Sequence, residues 1–150
     1  MASIPEPMPK AGVVVQDSPA GPFAETILVG KHVLLADEQS SQGGNDAGPT
    51  PYDYLLAALG ACTGMTLRSY ARVKNWPLEH VNVRLKHNKI YAVDCASCET
   101  KEGKVDQIDR LIELQGPLTD EQRGRLLEIA ERCPVHRTLT SEISIRTSLA

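Results

Sequence analysis

Aromatic side chains are scarce in this sequence, with a single Phe and a single Trp, so aliphatic residues have to fill whatever core it builds. It has no basic stripe either. Lys and Arg number 16 against 19 acidic residues, the signs are mixed along the chain, and the formal charge of −3 recommends neither nucleic acid nor an anionic membrane as partner. No apolar segment is long enough to span a bilayer. The start, Met1-Ala2-Ser3-Ile4-Pro5-Glu6-Pro7, has neither the cationic head nor the apolar run of a signal peptide. The expected location is therefore cytoplasmic, and the four cysteines read as reduced, redox-active or metal-binding rather than as a disulfide framework. There is no internal repeat and no low-complexity tract. At 150 residues, 41% hydrophobic and 23% charged, the chain is expected to form one domain over 1–150, with the proline-rich residues 1–10 as a loose arm.

What the chain does have is a long stretch without charge. From Tyr54 to Leu67 every residue is apolar, small or a hydroxyl. Thr50 suits a helix N-cap, Pro51 the first helical position and Asp53 the first turn, where the helix dipole favours a carboxylate. Asn75-Trp76-Pro77 is a stop. The expected helix, about Tyr52 to Lys74, is apolar all round, and such a helix has to be enclosed on all sides. Ala57, Ala58, Gly60, Ala61 and Gly64 would let another backbone approach it closely. A chain this short offers few elements for the task, which leads to the expectation of an obligate homodimer.

Around that helix the pattern is mostly strand. Val13 to Val15, Phe23 to Val29 and His32 to Ala36 read as a meander, followed by a polar loop from Asp37 to Gly48. Val81, Val83 and Leu85 alternate with polar residues, and a second long strand follows the Glu102-Gly103-Lys104 turn. In that strand Ile108, Ile112 and Leu114 share one face, and Arg110 falls on it against the pattern. Thr119-Asp120-Glu121-Gln122 is a capping box opening a second helix, with Leu126, Ala130 and Cys133 on one stripe and Pro134 as its breaker. Ile143, Ile145 and Thr147 alternate as a terminal strand. The expected class is α+β, mostly antiparallel strands wrapped around two helices.

Alone, Cys62 reads as a small core residue. Cys133 stands at a helix break near His136 and Arg137, a cationic setting of the kind that lowers a thiol pKa. A drop from about 8.5 to about 6 would make the thiolate predominate at neutral pH. Cys95-Ala96-Ser97-Cys98 fits a redox dithiol, half a zinc site with His87 as third ligand, or two plain loop cysteines; no second Cys-x-x-Cys completes a tetrahedron. Tyr52, Tyr54, Leu59 and Met65 suit core packing or the lining of an apolar pocket.

The segment Gly48-Pro49-Thr50-Pro51-Tyr52-Asp53-Tyr54-Leu55-Leu56-Ala57-Ala58-Leu59-Gly60-Ala61-Cys62-Thr63, with Arg132-Cys133-Pro134-Val135-His136 some seventy residues later, resembles the OsmC/Ohr family, the osmotically inducible and organic hydroperoxide resistance proteins. The resemblance spans about Leu34 to Leu149. It implies an OsmC-like α+β fold, an intertwined homodimer with active sites at the interface, and cysteine peroxidase chemistry without metal or other cofactor. On that analogy Cys62 attacks a small hydroperoxide and becomes a sulfenic acid, Cys133 converts it to a disulfide, and a dithiol partner reduces the disulfide. Peroxidase members carry a Glu after the Pro that begins the helix and an Arg from the N-terminal region. Here Tyr52 holds the Glu position and no arginine precedes Arg68. Asp53, one residue out of phase, stands with Cys62 and Cys133 in the expected site, and Arg110 or Lys31 supplies a cation only if the fold brings it close. The other reading is an OsmC-fold module that binds an apolar small molecule or serves as a slow redox sensor.

Overall fold

The computed structural model describes residues 12–149, so the arm expected over 1–10 lies outside the described residues. They form two compact units, 12–54 with 145–149, and 55–144. Both contain antiparallel sheet, and with the helices this is the α+β class.

In the first unit β1 (Val14–Asp17), β2 (Glu25–Val29) and β3 (His32–Ala36) form the expected meander, with Val14 opposite Leu28 and Leu28 opposite Val33. After β3 the chain is organised by Asp37, which is only 2% exposed. Its carboxylate accepts backbone N–H groups of Glu38 (2.8 Å), Asn45 (3.1 Å) and Ala47 (3.1 Å), so one buried anion gathers the polar loop. The Ala47 bond leads in holding this carboxyl below its ordinary value; burial opposes it, and the Glu38 and Asn45 bonds add to it. Gly48 then passes so near β3 that a Cβ there would collide with the Leu35 carbonyl. Helix α1 (Pro51–Val73) starts as its sequence dictates: Thr50 Oγ1 accepts the Asp53 N–H at 3.2 Å, and the Asp53 carboxylate accepts the Thr50 N–H at 2.9 Å.

The second unit holds the rest of α1 from Leu55, a long hairpin of β4 (His80–Tyr91) and β5 (Lys104–Gln115), and helices α2 (Asp120–Ala130) and α3 (Pro134–Leu139). The register pairs Val83 with Ile112 and Leu85 with Arg110. Leu67 and Ala71 of α1 meet Leu118 and, from α2, Leu126, Ile129 and Ala130, with Tyr70, Trp76, Val81, Ile112 and Leu114 packed around them. Leu67 and Leu126 are fully buried, worth about 1.5–3 kcal/mol each against exposure. The Thr119 capping box that opens α2 is formed by both of its hydrogen bonds.

Two expectations are corrected, one on Pro134 and one on the terminal strand. Within this single chain α1 buries Leu59, Thr63, Leu67 and Ala71, spaced four apart along one face, while Met65 stays 66% exposed. A Cβ on Gly60 would press on Leu85, but none of the described atoms lies near Gly64. Pro134 does not break the second helix at Cys133. That helix ends at Ala130, and Pro134 opens a third one with Cys133 as its N-cap, because a ring that cannot continue a helix is well suited to begin one. Residues 142–149 form no strand; alternation gives a strand only where another edge offers its hydrogen bonds, and none among the described residues does. Among the described residues no helix is long and apolar enough to cross a membrane.

Candidate functional site at the paired thiols

The buried face of α1 carries one polar residue, Thr63, and it points at the end of α2. There the chain leaves the helix at Ala130, tightens through the Arg132 N–H to Ile129 O and Cys133 N–H to Ala130 O bonds, and re-enters a helix at Pro134. Cys133 caps that helix with sulfur instead of oxygen: its Sγ accepts the His136 N–H at 3.3 Å. The residue is completely buried, and the half-buried Cys62 of α1 is one of the neighbouring side chains that act on its thiol. Thr63 Oγ1 lies 3.9 Å from the same sulfur and 2.7 Å from the Leu59 carbonyl.

Arg110 reaches this point from β5, with a side chain 8% exposed. Its Nη1 donates to Thr63 Oγ1 at 3.0 Å and to the Ala130 carbonyl at 3.4 Å, and its Nη2 donates to Glu131 Oε1 at 3.1 Å and His136 Nδ1 at 3.2 Å. A guanidinium has no lone pair to offer, so Nδ1 of His136 is the acceptor. The ring proton then sits on Nε2, 3.1 Å from the second Glu131 oxygen. This is the neutral tautomer, so the cation beside the thiols is Arg110. The cationic setting expected from His136 and Arg137 is supplied differently: His136 contributes its backbone N–H, and Arg137 is exposed.

Burial pushes the Cys133 thiol up. The His136 N–H, the Cys62 thiol, the Thr63 hydroxyl and the Arg110 charge together outweigh that, leaving it below its ordinary value. Leu59, Ile108, Arg110, Glu131, His136 and Leu139 contribute to the lining of an adjoining cleft of about 420 Å³. The site thus holds two neighbouring free thiols, one buried among hydrogen-bond donors and the other half-buried.

The family model of OsmC-like proteins matches residues 43–148, a span that holds both thiols and all the groups around them. The chain belongs to the OsmC-like family. Solved structures agree in fold. An OsmC-like protein from Mycoplasma pneumoniae is 17% identical, with 87% of each chain covered and a TM-score of 0.66. The organic hydroperoxide resistance protein OhrB of Bacillus subtilis is 18% identical over 87% of this chain and 90% of that one, with a TM-score of 0.58. An organic hydroperoxide resistance protein OsmC from Legionella pneumophila is 18% identical over 85% and 87%, with a TM-score of 0.61. No curated protein matches the sequence.

The other expected site residues of this OsmC-like chain have different surroundings. Asp53 is exposed, and its recorded hydrogen bonds are those of the helix cap. Of the four apolar pocket candidates, Leu59 is buried and contributes to the cleft, Tyr52 and Met65 are largely exposed, and the Tyr54 hydroxyl donates to the Leu35 carbonyl. Cys95 and Cys98, for which a redox dithiol, half a zinc site and two plain loop cysteines were open, are joined in a disulfide with Cα atoms 5.4 Å apart, in the connection between β4 and β5. His87 bonds Asp106 at 2.8 Å, and among the described residues no group of three or more His, Cys, Asp or Glu side chains is arranged to hold a metal. Sequence reasoning missed Thr63 and Glu131. The available signal was Arg110, a charge on the apolar face of a strand, which has to be met by acceptors from elsewhere.

The depressed Cys133 thiol links stability to pH. Between its lowered folded value and the ordinary 9.0, the unfolded chain holds a proton that the folded chain has released, so stability rises with pH through that window. It is fully present above 9.0 and lost as pH falls through the folded value. The urea midpoint of the wild type, measured against Cys133→Ser, should follow this course; a pH-independent difference would contradict it.

Proposed function

We propose that the protein is a thiol-dependent peroxidase that reduces organic hydroperoxides through a Cys62–Cys133 disulfide, in oxidative-stress defence in the cytoplasm. The observation that carries this reading is the nearness of the two thiols, which come from segments some seventy residues apart in the part of the chain matched by the family: Thr63, next to Cys62 on α1, lies 3.9 Å from Cys133 Sγ. Relatives of the same fold are organic hydroperoxide resistance proteins by name. The Cys62 thiolate, the more accessible of the two, attacks one peroxide oxygen. The O–O bond breaks, the sulfur keeps the terminal OH as a sulfenic acid, and the alkoxide takes up the proton that the thiol had released to water and leaves as the alcohol. Cys133 attacks that sulfur, the S–S bond forms and water departs. An external dithiol then returns both thiols and is itself oxidised to a disulfide.

A homodimer with active sites at the interface belongs to the same proposal. Each unit leaves apolar surface uncovered: Val33 is 67% exposed in the first, and in the second Met65 lies in a groove with Ala57, Gly60, Ala61 and Gly64 beside β4. Such faces suit a second copy of the chain. Sedimentation at micromolar concentration should give a dimer, and a stable folded monomer would sink this part of the proposal.

The activity is tested by steady-state consumption of tert-butyl hydroperoxide with dithiothreitol. Cys62→Ser should fall to the rate of the protein-free mixture, and Cys133→Ser should accumulate over-oxidised Cys62. The Cys95→Ser, Cys98→Ser double variant should keep the wild-type rate. A folded wild type that consumes no hydroperoxide would favour a binding or sensing module, a reading supported by the absence of an arginine before Arg68 and of a Glu at position 52.

A further inference from the structure

A charged side chain on the inward face of a strand is costly to bury and must be compensated by every group around it. Arg110 is such a residue, 8% exposed, and the acceptors around it come from three places: Thr63 on α1, Ala130 and Glu131 at the end of α2, and His136 on α3. A purely structural arginine needs acceptors. It does not need one of them to be a hydroxyl that also faces a sulfur.

Thr63 is that hydroxyl. It has one proton and two lone pairs, so it can accept from Arg110 and still donate. In the resting arrangement the shorter donation is to the Leu59 carbonyl at 2.7 Å, with Cys133 Sγ at 3.9 Å. When a thiol of the pair loses its proton to water, the hydroxyl can turn its hydrogen to sulfur while Arg110 continues to donate to its oxygen. A positive donor behind an O–H polarises it and strengthens the bond it gives. Glu131 and the neutral His136 hold the guanidinium from the other side, and because Glu131 is 61% exposed its charge is screened by water and cancels little of the arginine's.

We propose that Arg110 is the positioning residue of the Cys62–Cys133 pair, acting through the Thr63 hydroxyl to hold negative charge on the sulfurs. The role deepens the peroxidase reading and rests on it, in a chain with no arginine before Arg68. The hydrogen bonds of Arg110 go to Thr63, Ala130, Glu131 and His136, and it is Thr63 that lies beside the Cys133 sulfur, at 3.9 Å. Among the described residues, the charged and titratable groups around the pair are Cys62 and Cys133 themselves, Arg110, Glu131 and His136, with Asp106 and Asp109 on the adjoining cleft.

The test is the titration of thiolate absorbance at 240 nm in the full-length Cys95→Ser, Cys98→Ser protein, where Cys62 and Cys133 are the remaining sulfhydryls. Arg110→Met should raise the lower midpoint by about one pH unit or more, and Arg110→Lys, which restores charge without the fork, should bring it part of the way back. Thr63→Val, which keeps the charge and removes the relay, should also raise it, whereas Thr63→Ser should leave it near wild type. A midpoint that stays put in folded Arg110→Met or in Thr63→Val overturns the proposal. If Arg110→Met does not fold, the near-isosteric Thr63→Val decides alone. The titration uses no peroxide, so its outcome is separable from that of the activity: an Arg110-dependent midpoint in a protein that consumes no hydroperoxide would remove the peroxidase reading and leave the arginine's effect on the thiols standing.

Discussion

The second unit turns on the burial of one guanidinium. Arg110 projects from β5 into a largely enclosed place, and Thr63, Ala130, Glu131 and His136 surround its guanidinium with acceptors there. Stripping the partners from a buried ion of this kind costs about 3–5 kcal/mol, comparable with the loss of a large core side chain. The arginine therefore fixes where the face of α1 meets the end of α2 and the start of α3. The two free thiols lie at that meeting point.

The local conformations follow from it. Helix α2 stops at Ala130, whose carbonyl is left to accept from Arg110. Cys133 then takes the extended backbone of an N-cap and gives its sulfur to the His136 N–H, so capping and thiol polarisation are one hydrogen bond. His136 has two separate duties: its backbone faces sulfur, and its ring, neutral with the proton on Nε2, braces Arg110 and Glu131. Much of the chemistry proposed for the site is thus carried by groups that the fold already needs.

Legibility in the sequence tracked the range of the interaction. The Thr50 and Thr119 caps, the meander, the hairpin and the length of α1 are local patterns, and all were readable from spacing alone. Pro134 was ambiguous because the same ring that ends one helix can open the next, and the choice depended on Cys133 finding the His136 N–H. The strand expected over residues 143–147 failed for a different reason: alternation supplies a face but cannot supply a pairing edge. Cys62 and Cys133 stood out through a family resemblance, whereas Thr63 is one hydroxyl in a charge-free run and nothing local marks it. Asp53 was legible as a first-turn carboxylate, and it hydrogen-bonds in the cap of α1. Arg110 was visible as a misfit, but its partners became visible only once three elements had been folded together.

That Cys62 and Cys133 form one redox unit, as proposed, is tested most directly by a peptide map of sulfur linkages after a small excess of organic hydroperoxide. A new linkage should join the peptides that contain Cys62 and Cys133, with the Cys95–Cys98 bond unchanged. Recovery of Cys62 and Cys133 as intact, unlinked thiols would contradict it.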